Sequence, residues 1–587
     1  MAEQHPAFAV PIALTRQLIT GFTLILSGQL CWAQQSATPG NDAEVYRQVA
    51  ESHGLGEILG YGRGASFVDI DGDGDDDLFV ADTDGRLFGR PYGMSILYTN
   101  DGSGNFRPGE FNFNPDDFLG TWAGSFADFD NDGDADLLVV NGGYTNSSTL
   151  ALLENRVNSG QGFVNVTTGT GFRSPDQAAE THAWWGVSWA DYDNDGWLDV
   201  IVTRREQRPL LFHNDGGTAF TEQGLQLGLV DPGQRDAKNP VWIDYDGDGD
   251  QDLYLAGMDW HGFYENRGNG FIAVTDQVFD LPLEGHSGLP AVFAAASADF
   301  DQDGLEDLYL GRWDSQDYIL FGNGSGGFER VGRDNGLDSV NHIKLSETDT
   351  NPMVNEARQL RRQDRLNSPT GEEVNMAPFE NTMGLGVGDL FDDGFPDIVI
   401  GTGDPMFNAA DIILCNRGQR IFQRCTERFV EADDQHRLTR GHGAAFADID
   451  HDGYTEFFFN LGGHPVFDFN QNVESRETNK LFVRQTEAAA NAAWIRLIGT
   501  RSNRDAVGAR VKWGEGSATR FQFVRSTSGF QSQNSKTMLL LLGNRSSQPV
   551  VIDWPSGAVS ELTVSTGQTL EIVEPAARAD ADPTLTR

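Results

Sequence analysis

Seven times along this chain, aspartates alternate with other residues ahead of a glycine, in the pattern DxDxDGxxD followed by an apolar residue. The copies begin at Asp69, Asp128, Asp191, Asp244, Asp299, Asp389 and Asp448. Positions 1, 3 and 5 supply Asp69, Asp71 and Asp73; Asp128, Asp130 and Asp132; Asp191, Asp193 and Asp195; Asp244, Asp246 and Asp248; Asp299, Asp301 and Asp303; Asp389 and Asp393; and Asp448, Asp450 and Asp452. On a tight loop these carboxylates turn inward, and the glycine at position 6 permits the bend. Position 7 varies freely (Asp75, Asp134, Trp197, Asp250, Leu305, Phe395, Tyr454), as suits a residue that offers only its carbonyl. Position 9 is Asp77, Asp136, Asp199, Asp252, Asp307, Asp397 or Glu456 and closes an all-oxygen shell. Such a shell suits a hard cation of flexible coordination, so the expected cofactor is Ca²⁺, up to seven ions, rather than Zn²⁺ or Mg²⁺. The sixth copy has Phe391 at position 3 and Asp392 at position 4, so its site is expected to bind weakly or stay empty.

The flanks show which elements hold these loops. Position 2 is always apolar (Ile70, Phe129, Tyr192, Tyr245, Phe300, Leu390, Ile449), and position 10 opens a short apolar strand with no helical period behind it. Each loop therefore joins two strands. A second strand pair follows around an Asn/Gly turn, as in ILYTNDGSGNF and LFHNDGGTAF, which gives four strands per unit. Successive copies lie 59, 63, 53, 55, 90 and 59 residues apart, room for one four-stranded blade each. Seven blades predict a β-propeller, which protects its strand edges by radial closure. The last blade stops at Gln485 without an outer strand, whereas Glu44–Leu55 reads as an orphan strand that completes it and closes the ring.

These units resemble the FG-GAP or VCBS repeats of integrin α-subunit propellers and of many exported bacterial proteins, over residues 44–486. The resemblance implies the metal residues named above, except at Phe391. Residues 491–574 change character, alternating apolar and polar residues between Gly, Pro and Asn, and predict a small antiparallel β domain. It resembles the ASPIC/UnbV domain through Ser502-Asn503-Arg504-Asp505, Gly508-Ala509-Arg510, Ser528-Gly529-Phe530 with Ser532-Gln533, and Trp554-Pro555-Ser556-Gly557. It departs from that family at Leu539–Gly543 (LLLLG), where a polar residue is often found. Together the two resemblances place the chain near the cartilage acidic protein 1-like family. The expected fold class is all-β, a seven-bladed integrin α-like calcium-loop propeller followed by this small domain, with a disordered tail over 575–587.

Leu18–Ala33 is an apolar run behind Arg16, with Cys31 and Ala33 at the −3 and −1 positions of a cleavage site. It reads as a secretory signal peptide over 1–33, ahead of a linker over 34–43. A membrane anchor is the alternative, although ~16 residues fall short of the ~20 that span a bilayer. The expected localisation is secreted, periplasmic or cell-surface, with no membrane span once the signal is removed. Cys415 and Cys425 would then meet an oxidising compartment that favours a bridge, but symmetric pairing about Gly418 and Gln419 sets Cys415 nearer Phe422. Both readings stay open.

The net charge of −45 argues against nucleic-acid partners. With 39% hydrophobic and 11% aromatic residues the chain is nevertheless no solvated polyanion. Six residues before each first Asp, about 20 Å along the strand, stand Arg63, Trp122, Trp185, Lys238, Phe293, Met383 and His442. Six residue types in seven blades, they vary as expected of a channel mouth that reads an asymmetric ligand. An insertion over about 340–381 and a long Gly462–Asn479 loop fall on the same face. Nucleophile-elbow, HExxH, phosphate-loop and CxxC motifs do not occur. The expected function is therefore a monomeric binding or adhesion module for an extracellular or periplasmic protein, a glycan or a small molecule. The alternative is an exported lyase, cyclase or hydrolase using that mouth.

Overall fold

The computed structural model describes residues 46–56, 59–83, 95–118, 120–142, 149–174, 183–229, 237–279, 292–313, 317–330, 382–404, 407–430, 438–463, 476–485 and 491–576. The leader, the linker, the 340–381 insertion, the middle of the Gly462–Asn479 loop and the tail beyond Ala576 lie outside them.

Seven inner strands, Gly62–Val68, Thr121–Ala127, Trp184–Ala190, Ala237–Ile243, Val292–Ala298, Thr382–Gly388 and Gly441–Ala447, each lead through an acidic loop into a second strand that begins at position 9. Blades 1 to 5 are antiparallel meanders of four strands from the axis outward, blade 6 adds short strands at Phe407–Ala410 and Leu438–Thr439, and in blade 7 the outermost pairing, to Phe429–Val430, is parallel. Every inner strand packs beside that of the next blade, and the last packs beside the first, so the ring is closed. Runs such as VFAAASA and GHGAAFA are small and apolar because the strands converge on the axis. At Gly384 an added Cβ would lie 1.6 Å from the His442 carbonyl of the neighbouring blade. The hydrophobic core fills the wedges between blades, with Phe79 of blade 1 edge-on to Phe126 of blade 2 and Phe446 stacked on Phe457 in blade 7.

Tyr46–Gln48 is the outer strand of blade 7 and pairs antiparallel with Lys480–Arg484, Tyr46 opposite Arg484. The N-terminal strand thus completes the last blade. In blade 6, Cys415 lies opposite Gln423, so Cys425 is its diagonal neighbour. The two are joined in a disulfide with Cα atoms 5.9 Å apart, which settles the question that register alone left open.

The C-terminal domain has two sheets. Arg520–Phe523, Arg510–Trp513, Ser547–Asp553 and Val559–Ser565 form an antiparallel one. In the other, Ala492–Ile498 pairs antiparallel with Met538–Leu541 but parallel with Thr569–Val573. That parallel pair departs from a purely antiparallel domain. The chain crosses through the whole other sheet between those strands, and such a crossover is what parallel pairing requires. Ile495, Val511, Leu540, Ile552 and Val564 fill the space between the sheets.

Candidate metal centre

All seven acidic loops share one backbone design. Position 4 (Gly72, Asn131, Asn194, Gly247, Gln302, Asp392, His451) and the position 6 glycine are both left-handed, which reverses the chain twice within three residues. The position 1 carboxylate accepts amide protons from this bend, as from Gly133 to Asp128 at 2.9 Å and Gly304 to Asp299 at 2.8 Å. In every loop the position 5 carboxylate accepts the position 7 amide, at 2.9–3.1 Å. Position 9 is buried and its carboxylate accepts the position 2 amide, as from Phe300 to Asp307 at 2.7 Å. Loop and carboxylates thus form a preorganised cup whose remaining lone pairs face one another.

That arrangement crowds carboxylates together, with single cations such as Arg420 on Asp301 at 2.6 Å against several acids in a loop. Burial, then the neighbouring carboxylate, pushes Asp130 up to about 6 and Asp250 and Asp452 up to about 7. Buried oxygens without a hydrogen-bond partner remain at Asp71 Oδ1, Asp250 Oδ1, Asp301 Oδ1 and Glu456 Oε1, in loops 1, 4, 5 and 7. An orphaned carboxylate oxygen in a buried cup is costly unless a cation meets it. Ligand atoms of Asp69, Asp71 and Asp73, of Asp128, Asp130 and Asp136, of Asp191, Asp193 and Asp199, and of Asp244, Asp246 and Asp248 fall within 4.8 Å of one another. The residues therefore fit a hard cation.

Loop 6 is built differently. Phe391 turns its ring toward Tyr46 and Phe429, Arg484 is ion-paired with Asp392, and Arg520 Nη2 donates to the Asp393 carbonyl at 2.9 Å. Loop 3 carries a group that the repeat pattern did not flag. His213 Nδ1 lies 3.1 Å from Asp199 Oδ1 and 3.5 Å from Asp193 Oδ2, and its hydrogen bond to Asp199 pushes it up to about 9.

The C-terminal domain sits on this loop face. Arg496 and Arg504 reach the position 1 residues Asp69 and Asp128 at 3.2 and 3.1 Å, and Trp494 Nε1 donates to Asp448 at 2.8 Å. From the same domain, residues 526–535 enter the channel as a plug. The inner strands are sheet edges with unpaired amides and carbonyls, and the plug satisfies them. The Gln533 backbone bonds to Ala65 and Phe67 of blade 1, and its side chain bonds both ways to Phe126 of blade 2 at 2.9 Å. Ser526 pairs with Trp189 of blade 3, the Phe530 amide with Leu385 of blade 6, and Asn534 with Val387 and Phe446 of blades 6 and 7. A cleft of about 180 Å³ remains between the domain and blades 5 to 7, with Ser297, Val387, Phe446, Phe521, Arg525 and Lys536 in its wall.

Beyond the plug tip stand Arg63, Trp122, Trp185, Lys238, Phe293, Met383 and His442. Each is the region's bulge residue: register slips there in all seven inner strands. They do converge, but as packed core, none more than 7% exposed. Arg63 lies over the Trp122 ring at 4.7 Å, Trp122 meets Trp185 edge-on at 4.6 Å, Lys238 Nζ lies 3.4 Å from the Trp185 centroid, and Phe293 faces Phe530 at 5.0 Å. These contacts and the Phe530 ring fill the channel at the level of the seven residues, and the long connections expected over that face lie outside the described residues.

The chain carries FG-GAP-like repeats, matched at residues 69–139 and 191–255, and an ASPIC and UnbV domain, matched at 499–579. Two segments of the propeller thus carry FG-GAP-like repeats, and the C-terminal domain carries the ASPIC and UnbV match. No curated protein matches the sequence. Similar solved structures include an Agrocybe aegerita lectin that recognises non-reducing terminal N-acetylglucosamine, 16% identical over 74% of this chain and 93% of the lectin, with TM-score 0.37. Another is BBS1N in complex with ARL6DN, 9% identical over 76% of this chain and 99% of that one, with TM-score 0.39. A third is the periplasmic gluconolactonase PpgL of Pseudomonas aeruginosa, 15% identical over 46% of this chain and 72% of the enzyme, with TM-score 0.30. At such values none of them speaks for this chain's ligand.

Proposed function

We propose that this protein is an exported interaction module whose propeller is stabilised by Ca²⁺ in its acidic loops, and whose ligand is an extracellular or periplasmic protein, a glycan or a small molecule. The observation that carries the metal reading is the set of buried, unpartnered carboxylate oxygens at ligand positions in loops 1, 5 and 7, Asp71 Oδ1, Asp301 Oδ1 and Glu456 Oε1. In loops 1 to 5 and 7, positions 1, 3, 5 and 9 with the carbonyl of position 7 hold the ion, and its charge relieves their mutual repulsion. Loop 6 lacks the position 3 ligand and uses Arg484 and Arg520 instead. The disulfide supports an oxidising compartment, and among the described residues no helix is long and apolar enough to cross a membrane. An enzymatic reading would rest on Arg63, Lys238 or His442, which are buried against neighbouring groups.

Thermal melts of the full chain in chelator, Ca²⁺ and Mg²⁺ test the metal. A site filled at a hundred times its dissociation constant adds about 2.7 kcal/mol, so chelation lowers Tm by many degrees and Ca²⁺ restores it better than Mg²⁺. An unchanged melt would remove the metal from the proposal.

A further inference from the structure

One residue type recurs beside the loops with contacts on two of them at once. Asn100, Asn155, Asn214, Asn266 and Asn416 stand last or, for Asn155, next to last in the third strands of blades 1, 2, 3, 4 and 6, and all are buried. Their backbone amides donate to the position 9 carboxylates of their own loops, Asp77, Asp136, Asp199, Asp252 and Asp397, at 2.7–2.9 Å. Their Nδ2 groups donate to the position 2 carbonyls of the preceding blade's loop, Ile449, Ile70, Phe129, Tyr192 and Phe300, again at 2.7–2.9 Å. Position 2 lies between two ligand positions, so each asparagine ties the backbone of one cup to a ligand of the next.

The two exceptions show what the residue is for. In blade 5 the place is Gly322, whose amide still serves Asp307 at 2.8 Å, but a Cβ there would lie 2.6 Å from the Glu306 carbonyl. The link between loops 4 and 5 runs instead from the Asp244 amide to Glu306, which is paired with Arg525. In blade 7 the place is Arg484, and the Tyr46 hydroxyl meets the position 2 carbonyl of loop 6, Leu390, at 2.6 Å and the Thr455 carbonyl of loop 7 at 2.7 Å.

We propose that these asparagines couple neighbouring metal loops, so that an ion in one loop tightens binding in the next. An ion fixes the path of positions 1 to 3, hence the position 2 carbonyl; the asparagine bonded to it then holds the position 9 carboxylate of its own loop in place. The coupling is reciprocal by linkage. It rests on the Ca²⁺ reading above.

The pair of loops 3 and 4 tests it, through Asn266. Hydrogen exchange of the full chain, resolved by peptide over a series of free Ca²⁺ concentrations, gives a protection midpoint for each loop separately. Emptying loop 4 with Asp246→Asn and Asp248→Asn is expected to move the loop 3 midpoint to Ca²⁺ about fivefold higher or more, at the lower end of typical couplings. In the Asn266→Ala background the same emptying leaves the loop 3 midpoint where it was. Asn266→Ser, too short to reach the Tyr192 carbonyl, replaces the alanine variant if that one fails to fold. A loop 3 midpoint indifferent to loop 4, or one that moves equally with and without Asn266, overturns the coupling while the Ca²⁺ sites stand. If no loop gains protection with Ca²⁺, the metal reading falls and the coupling with it.

Discussion

Glu574 closes the C-terminal domain from its last strand. Its carboxylate accepts the amides of Thr500, Arg501 and Ser502 at 2.8–2.9 Å and the hydroxyls of Ser502 and Ser556. Burial alone would raise it, but these donors outweigh burial and hold it below the usual carboxylate range. A depressed folded value adds stability above the unfolded value of about 4.3, and that stability is lost as pH falls through the folded value. Glu574→Gln is therefore expected to cost roughly 2 kcal/mol at neutral pH, the scale of hydrogen bonds to a charged group. The gap from the parent should narrow in acid; denaturant titrations at both pH values check it, and a pH-independent gap would remove the charge from the explanation. The sequence showed the position 6 glycines because they are invariant. It hid the left-handed position 4, where Gly, Asn, Gln, Asp and His share a backbone conformation but no side-chain chemistry. The asparagines stood in the very turns that marked the third strands, yet a contact with the preceding blade has no local spacing to reveal it.

Among the elements, the plug carries the largest difference between what was legible and what was found. Alternation and punctuation identify a strand whatever it faces, and they placed the blades and the C-terminal sheets. Residues 526–535 have no such period, because their partners are edge amides from separate blades. Gln533→Leu leaves the amide and carbonyl of Phe126 without partners and should cost about 1–3 kcal/mol. Phe530→Ala, which empties the contact with Phe293, should cost about 3–5 kcal/mol. Melting of the two variants in saturating Ca²⁺ reads both, and unchanged melts would show that the plug rests in the channel without holding it. The bulges explain why the residues six places before each loop vary: each projects from a break in pairing and is chosen to fit its neighbours in the stack.

At the scale of the molecule, Tyr46–Gln48 completes the last blade of the closed ring, and this was readable because one blade lacked a strand and one strand lacked a blade. Removing the chain through Gln48 would expose the Lys480–Arg484 edge and free the Leu390 and Thr455 carbonyls. The expected outcome is a lower Tm and a larger radius of gyration by small-angle scattering; a parent-like profile would show that the ring closes without its clasp. The same clasp imposes an order in time. The Tyr46 hydroxyl meets a carbonyl 409 residues further along the chain, so this strand, the first among the described residues, is synthesised long before the blade it completes. Contacts of such sequence separation form slowly. During synthesis the Lys480–Arg484 edge and the Tyr46–Gln48 strand that covers it are therefore brought together only after every blade between them has emerged.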